Sequence, residues 1–295
     1  MSNETKNDAP AEEIVVDLYT KMARIRMMET AISDAYAEQE MKCPVHLSIG
    51  QEAVAAGVCQ ALRETDEAVS THRGHAHYIA KGGDLKRMMA ELYGKATGCA
   101  GGKGGSMHLV DPSVGFRGCS AIVGGTIPIA VGIALAAKMK GTDKVAVPFF
   151  GDGAADEGVL YEAMNFAAIK KLPVIFTCEN NLYATCSPQS ARQLGNLTSR
   201  AEAFGIPAET VDGIRAIEVF QASTRAVERA RAGQGPSFIE FKTYRWRKHV
   251  GPEYDIDLGY RTQEELDEWM SKCPVETHKA EAIASNILTE EAVDS

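Results

Sequence analysis

Apolar side chains follow two periods along this chain. Between Glu12 and about Met41, Val15, Leu18, Met22, Ile25 and Met28 recur every three or four residues with few breakers. That is the stripe of an amphipathic helix. "GQEAVAAGVCQAL" and the stretch from about Leu85 to Tyr93 predict two further helices, with "EAVST" a short strand between them. A long glycine-rich loop, "GCAGGKGGSMHLVDPSVGFRG", precedes "TIPIAVGIALAAKMKG", a helix apolar on nearly every side and therefore expected to be buried, with Gly141 as its stop.

Strand and helix then alternate. "KVAVPFF" predicts a strand over Val145–Phe150, the segment around Gly158–Lys170 a helix, and "PVIFTC" a strand over Val174–Cys178. "IRAIEVFQASTRAVERARAG" reads as a helix and "PSFIEFKTY" as a strand. Short, continuously apolar strands separated by helices indicate a parallel sheet covered on both faces. The expected organisation is α/β: a polar, mobile segment over 1–10, then one domain over 11–295 with a helical N-terminal arm.

Composition narrows the function classes. The 295 residues are 45% hydrophobic and 24% charged, with a formal net charge of -9 and no basic block. Nucleic acid is therefore not the expected partner. No apolar run reaches the length of a membrane span, and "MSNETKNDAPAEE" lacks the basic start and apolar stretch of a secretion signal. Seven irregularly spaced cysteines without a CxxC pair read as reduced thiols of a cytoplasmic protein, most of them small core residues.

The chemistry gathers at two strand ends. Asp152 follows the first strand of the alternating region and Asn181 the second, one crossover apart, so both project from the same sheet edge. Gly151 and Gly153 clear the backbone on either side of Asp152. The N-terminus of the following helix is expected to turn its free amides to the same place. A carboxylate, an amide oxygen and backbone N–H groups suit a magnesium ion bridging to a diphosphate. For an isolated GDG or NN, turn or cap roles would suffice; here both follow strands of one βαβ unit. "GGKGGS" is not a P-loop, since Thr97 stands where a glycine is needed; it reads as a loop for close subunit approach. Ordinary structural roles remain open for His75, His77 and His108.

"GDGAADEG...ENNLY" resembles the thiamin-diphosphate motif, which runs from GDG to NN. "HLSIGQEAVAAGV", "STHRGHAHYIAKG", "GGKGGSMHL", "IVGGTIPIAVGIALA" and "TYRWRKH" are similar to the alpha subunit of the first component of 2-oxo acid dehydrogenases, the group holding pyruvate, branched-chain 2-oxo acid and acetoin dehydrogenases. The likeness covers about Ala11 to Met270 and implies the thiamin-diphosphate-binding fold. It further implies magnesium held by the Asp152 and Asn181 side chains and the Tyr183 carbonyl. The amides of Gly153 and Ala154, with His72 and Arg73, would meet the diphosphate. Backbone at Ala121 and Val123 would meet the aminopyrimidine, His249 would lie beside the cofactor in a mobile loop, and His46 would be a second active-site histidine.

The same likeness implies a beta subunit that supplies the activating glutamate, in a heterotetramer of two alpha and two beta chains acting on a 2-oxo acid or acetoin, with a lipoyl acyltransferase as acyl acceptor. A two-subunit carboligase or acyl transferase outside any lipoyl complex, and a non-enzymatic scaffold, are the alternatives. The chain departs from the family pattern at "KHV" in the histidine loop and at His72, where an aromatic is usual. It departs again at Ala121, at Asp156-Glu157 in place of Asn-Gln, and in the continuation "ENNLYATCSPQSARQ". It stops at "ILTEEAVDS", before the C-terminal helix usual in the family.

Overall fold

The computed structural model describes residues 10–294, so the mobile segment expected over 1–10 lies, save for Pro10, outside the described residues. The first helix, α1 (Glu12–Ala35), ends earlier than its pattern suggested. A 3₁₀ turn follows at Tyr36–Glu38, and Gln39 enters the left-handed region at φ 57°, which stops the helix. Its buried stripe is also not quite the one the apolar residues drew. Val15, Leu18, Met22 and Ile25 are buried as expected, but the next position inward is Glu29, not Met28. The Glu29 carboxylate accepts from the Ser48 amide at 2.7 and 2.9 Å and lies 3.3 Å from His75 Nδ1. The Ser48 amide and the adjacent imidazole offset part of the cost of burying this carboxylate.

After α2 (Glu52–Gln60) come β1 (Glu67–Ser70), α3 (His75–Ala80) and α4 (Leu85–Leu92). The glycine-rich loop then contains β2 (Phe116–Cys119), a strand its composition hid. Within the loop, the N–H groups of Ala100, Gly102, Gly104 and Gly105 all donate to the buried Glu91 carboxylate, at 2.7–3.0 Å. Gly102 sits at φ 74°, and a Cβ there would come within 2.6 Å of backbone at Gly94. The glycines thus have a task within the chain: they let the backbone wrap a carboxylate.

The alternating half follows as α5 (Thr126–Met139), β3 (Ala146–Gly151), α6 (Gly158–Lys170), β4 (Ile175–Asn180), a small hairpin of β5 (Tyr183–Ala184) and β6 (Ser187–Pro188), α7 (Leu197–Glu202), β7 (Ala208–Asp212), α8 (Ala216–Arg231) and β8 (Ser237–Lys242). Six strands pair in the order β2-β1-β3-β4-β8-β7, every pair parallel. Alternate residues face opposite layers. Phe149, Ile175 and Ile239 join a core with α1, α2 and α8, while Phe150, Phe176 and Phe238 join one with α5 and α6. Three helices close the chain: α9 (Gln263–Ser271), α10 (Pro274–Ala284) and α11 (Glu290–Asp294). No described helix is long and apolar enough to cross a membrane.

In this single chain α5 is covered on one side. Ile127, Ala130, Val131, Ala134 and Ala137 are buried, but Ile129 and Met139 are exposed. With Phe166 and Ile169 of the adjoining α6, and Ile122 and Val123 just before α5, they leave a broad apolar area open. The helix is apolar all round, yet this chain covers only one side of it.

Glu91 should be a sensitive point. Burial pushes its carboxyl pKa up, but four N–H donors outweigh that and hold it below the ordinary value. The stabilisation is therefore full above the unfolded carboxyl's pKa and is lost as pH falls through the lower folded value. Glu91→Gln should cost about 2 kcal/mol at pH 7, and the gap to the unaltered protein should narrow toward pH 4. Urea denaturation at the two pH values checks both statements.

Candidate active site at the carboxyl edge of the sheet

From β1 the chain first runs to β2 on one side, then returns to β3 on the other. The crevice outside the carboxyl ends of β1 and β3 is thus a topological switch point, where ligands of parallel sheets bind. Five loops reach this edge. Thr71, His72 and Arg73 follow β1; Ala121 and Val123 follow β2; Asp152 to Ala154 follow β3; Asn181 and Tyr183 follow β4; His249 lies in the loop after β8.

One cleft gathers most of the residues named from the sequence. His72, Arg73, Val123, Asp152, Gly153, Ala154, Asn181, Tyr183 and His249 line it, together with Gln51, Thr71, Gly151, Glu179, Ala184 and Thr185. Ala121 is not part of the wall. His46 is not either, but it stands directly behind it, its ring 4.7 Å from that of His72 and 5.3 Å from that of His249. The amides following Asp152 belong to a 3₁₀ turn, Asp152–Asp156, and α6 begins only at Gly158. The expected helix N-terminus is therefore set back from Asp152 by one tight turn.

The two walls carry opposite charge. On one side Asp152 is 1% exposed. Burial pushes its carboxyl pKa up, against an ion pair with Arg192 and the Asn181 backbone N–H. Asn181 donates its amide to Gln51 at 2.9 Å, and among the described residues its side-chain oxygen accepts only the Tyr183 N–H at 3.3 Å. On the other side Arg73 is 5% exposed and donates to the Leu47 carbonyl at 2.6 Å and the His249 carbonyl at 3.2 Å, with His249 Nδ1 at 3.4 Å. No described carboxylate lies within ion-pair distance of it. Burial and the nearby Arg245 push its pKa down to about 9.

A buried guanidinium without an anion, facing a buried carboxylate and a spare amide oxygen, fits a diphosphate with its divalent cation. Gly151 fits too, since a Cβ there would meet nothing nearer than the Glu179 carbonyl at 3.9 Å. The three imidazoles are held neutral: burial, and then the charge of Arg73, pushes His46, His72 and His249 each down to about 3. His46 Nδ1 is buried and has no hydrogen-bond partner among the described residues.

The loop bearing His249 is tied at its base. Asp255 is buried between Arg245 and Arg261, and Arg261 donates in turn to the carbonyls of Arg245 and Trp246 at 2.8 and 3.0 Å. Val250, Tyr254 and Leu258 of this loop are exposed. Below the cleft, His75 and His77 have structural partners. His75 Nε2 lies 2.7 Å from Ser106, and His77 sits between Ser70 at 2.8 Å and Glu179 at 3.2 Å. His108 is exposed.

A profile of the dehydrogenase E1 component family matches residues 20–295. The chain belongs to this family. It is 46% identical to the alpha subunit of acetoin:2,6-dichlorophenolindophenol oxidoreductase of Bacillus subtilis, over 88% of this chain and 78% of the relative. The subunit of the same name from Cupriavidus necator is 42% identical over 87% and 77%. The pyruvate dehydrogenase E1 component subunit alpha of Zymomonas mobilis is 40% identical over 95% and 79%. The resemblance drawn from the motifs is thus established over residues 20–295.

Several residues of the E1 cleft were not singled out from the sequence. Gln51 stands inside the quoted "HLSIGQEA", and Glu179 directly precedes the two asparagines, so position alone could have flagged both. Arg192 had no such signal: its contact with Asp152 depends on how the β5–β6 hairpin folds back.

The neutral imidazoles set an acid limit on stability. An unfolded histidine takes up a proton near pH 6.5, whereas these do so only near 3 when folded. Stability is therefore full above about pH 6.5 and falls as pH drops below it, by up to about 1.4 kcal/mol per pH unit for each ring. His72→Gln should flatten that slope by up to one ring's share between pH 6 and 5. Chemical denaturation at pH 5, 6 and 7 measures it.

Proposed function

We propose that this chain is the diphosphate-holding alpha subunit of a heteromeric, thiamin diphosphate-dependent enzyme that decarboxylates a 2-oxo acid or cleaves acetoin and passes the acyl group to a lipoyl carrier. The observation that carries the reading is the cleft in which Arg73, Asp152 and Asn181 converge from the ends of β1, β3 and β4. Residues 11–295 act as one thiamin diphosphate-binding domain. The Asp152 and Asn181 side chains and the Tyr183 carbonyl hold magnesium. The amides of Gly153 and Ala154, with Arg73 and His72, hold the diphosphate, and backbone at Ala121 and Val123 borders the aminopyrimidine.

When bound, thiamin diphosphate supplies the nucleophilic carbon and the electron sink that this chemistry needs. The chain's own residues prepare the ground. Arg73 and the magnesium ligands fix the charged end, and burial keeps water from the charges. His46 and His249 stay neutral near physiological pH, so each ring has one N–H to donate and one nitrogen to accept a hydrogen bond beside the cofactor. His249 lines the cleft and is the ring we place at that task, with His46 packed directly behind it.

The partner is a beta subunit. Glu179 reaches the cleft, but its carboxylate lies against His77, so the glutamate that activates the aminopyrimidine comes from outside this chain. The open apolar area of α5 and α6 supports such a partner. Among the three relatives named above, the two acetoin-oxidising subunits share more identity than the pyruvate dehydrogenase subunit, so acetoin is the substrate to try first.

The test is dye reduction with acetoin and with a panel of 2-oxo acids, by the chain alone and after co-expression with a beta-type partner. Activity should appear only with the partner, thiamin diphosphate and magnesium together. An isolated chain turning over at about 1 per second or more, within the usual enzyme range, would overturn the split site. In the assembled protein, Asp152→Ala should abolish the thermal shift on adding thiamin diphosphate and magnesium while leaving the far-UV circular dichroism unchanged.

A further inference from the structure

Two stretches distant in sequence meet over Asp152. One is Asp156, in the turn after β3; the other is the continuation after Asn181, which folds as the β5–β6 hairpin and returns with Arg192. The Arg192 guanidinium spans both carboxylates: Nη2 pairs with Asp152 Oδ2 and Nη1 with Asp156 Oδ2. Gln193 beside it donates to the Asp152 carbonyl and to Asp156 Oδ1, each at 2.7 Å. The hairpin that carries Tyr183 thus also carries a cation to the carboxylate of the same seat.

We propose that Arg192 is an internal substitute for the metal ion: it neutralises Asp152 while the cofactor is absent, and gives way to the divalent cation when the cofactor binds, staying on Asp156. This rests on the reading of Asp152 as a metal ligand and adds a determinant of how tightly that metal is held.

Three physical points support it. A carboxylate as buried as Asp152 cannot stand unpaired without a large penalty, so the empty seat needs a cation from the protein. A guanidinium and a divalent ion on one carboxylate repel each other across a few ångströms of poorly screened space, so the two compete. And Arg192 has a second, exposed carboxylate in Asp156, so release from Asp152 does not strand its charge. Gln193 holds the hairpin to the turn throughout, which confines the change to one side chain. By linkage, whatever stabilises the Arg192–Asp152 pair subtracts from metal affinity, and whatever stabilises Arg192 away from Asp152 adds to it.

Opposite signs follow for the two residues. The experiment uses the full chain assembled with its beta partner and freed of metal, titrated with manganese(II) at saturating thiamin diphosphate. Free ion is read by electron paramagnetic resonance and heat by calorimetry. Arg192→Gln should tighten manganese binding about tenfold and lower the melting temperature of the metal-free protein, with a larger rise on adding the ion. Arg192→Lys, which keeps the cation, should stay near the unaltered protein in both respects. Asp156→Asn should weaken binding, and this effect should vanish in the Arg192→Gln background.

Unchanged or weaker binding in Arg192→Gln overturns the proposal. So does an Asp156→Asn effect of equal size in both backgrounds, which would be plain loss of nearby negative charge. Should Arg192→Gln fail to assemble, the same titration on Asp156→Asn and Arg192→Lys decides, with binding unaltered by Asp156→Asn counting against the idea. If the unaltered protein takes up no manganese with thiamin diphosphate, the metal-seat reading falls and this proposal with it; if it does and the variants match it, only this proposal falls.

Discussion

Parallel pairing in register is the constraint on which everything else depends. A strand contributes its following loop to the carboxyl edge only if it runs in the same direction as its neighbours. Five loops, separated in sequence by as much as the whole chain from His72 to His249, meet because all six strands do. The register is equally specific: Gly151 pairs opposite Glu179, so Asp152 and Asn181 leave the sheet within one residue of the same level. A slip by one residue would move the strand's apolar faces into the wrong layers and turn the two ligands apart. The two cores on either face, alternating residue by residue through Phe149-Phe150 and Phe238-Ile239, hold that register.

Loops have no ladder to hold them, and here buried ionic groups take that role. Glu91 gathers the glycine-rich loop, Glu29 fixes the segment before α2, and Asp255 with two arginines anchors the loop of His249. Glu91 and Asp255 are well supplied with donors, which is the condition under which a buried charge specifies a conformation. Losing one partner would leave an uncompensated charge, so these sites are unforgiving. All seven cysteines are free, and the scaffold of the cleft therefore rests on packing and these polar anchors, without covalent ties.

The alternating half of the fold was readable because continuous apolar strands and helices differ in period and length. Helix α6 was placed to the residue, and β3, β4 and β8 to within a residue or two. Strands β2 and β7 were not, since an edge strand buries too little to show an apolar run: "AETVD" and "FRGC" carry charges on their open sides. Helices α9 and α10 had local signals, Thr262 as a cap bonding the Glu265 amide and Pro274 at the first turn, which a reading centred on apolar period passed over. At the site, residues within motifs were legible by position, as Arg73, Asp152 and Asn181 illustrate. Residues acting across the fold were not: nothing in sequence places Arg192 on Asp152, or makes Glu29 rather than Met28 the buried position of α1.

The cleft and the open apolar face are not independent features. Val123 lines the cleft and is itself exposed. With Ile122 it leads directly into α5, whose Ile129 and Met139 continue the uncovered surface toward Phe166 and Ile169 of α6. Burying side chains of this size contributes about 1.5–3 kcal/mol each, enough for a partner seated there to be held firmly. Such a partner would also roof the cleft at Val123 and raise the strength of every charge beneath it by excluding water. Cofactor binding and subunit association would then draw on the same surface, so each strengthens the other. A chain with its charged groups in place but one wall open would have a reason to carry its own cation on Asp152 until both the partner and the metal arrive.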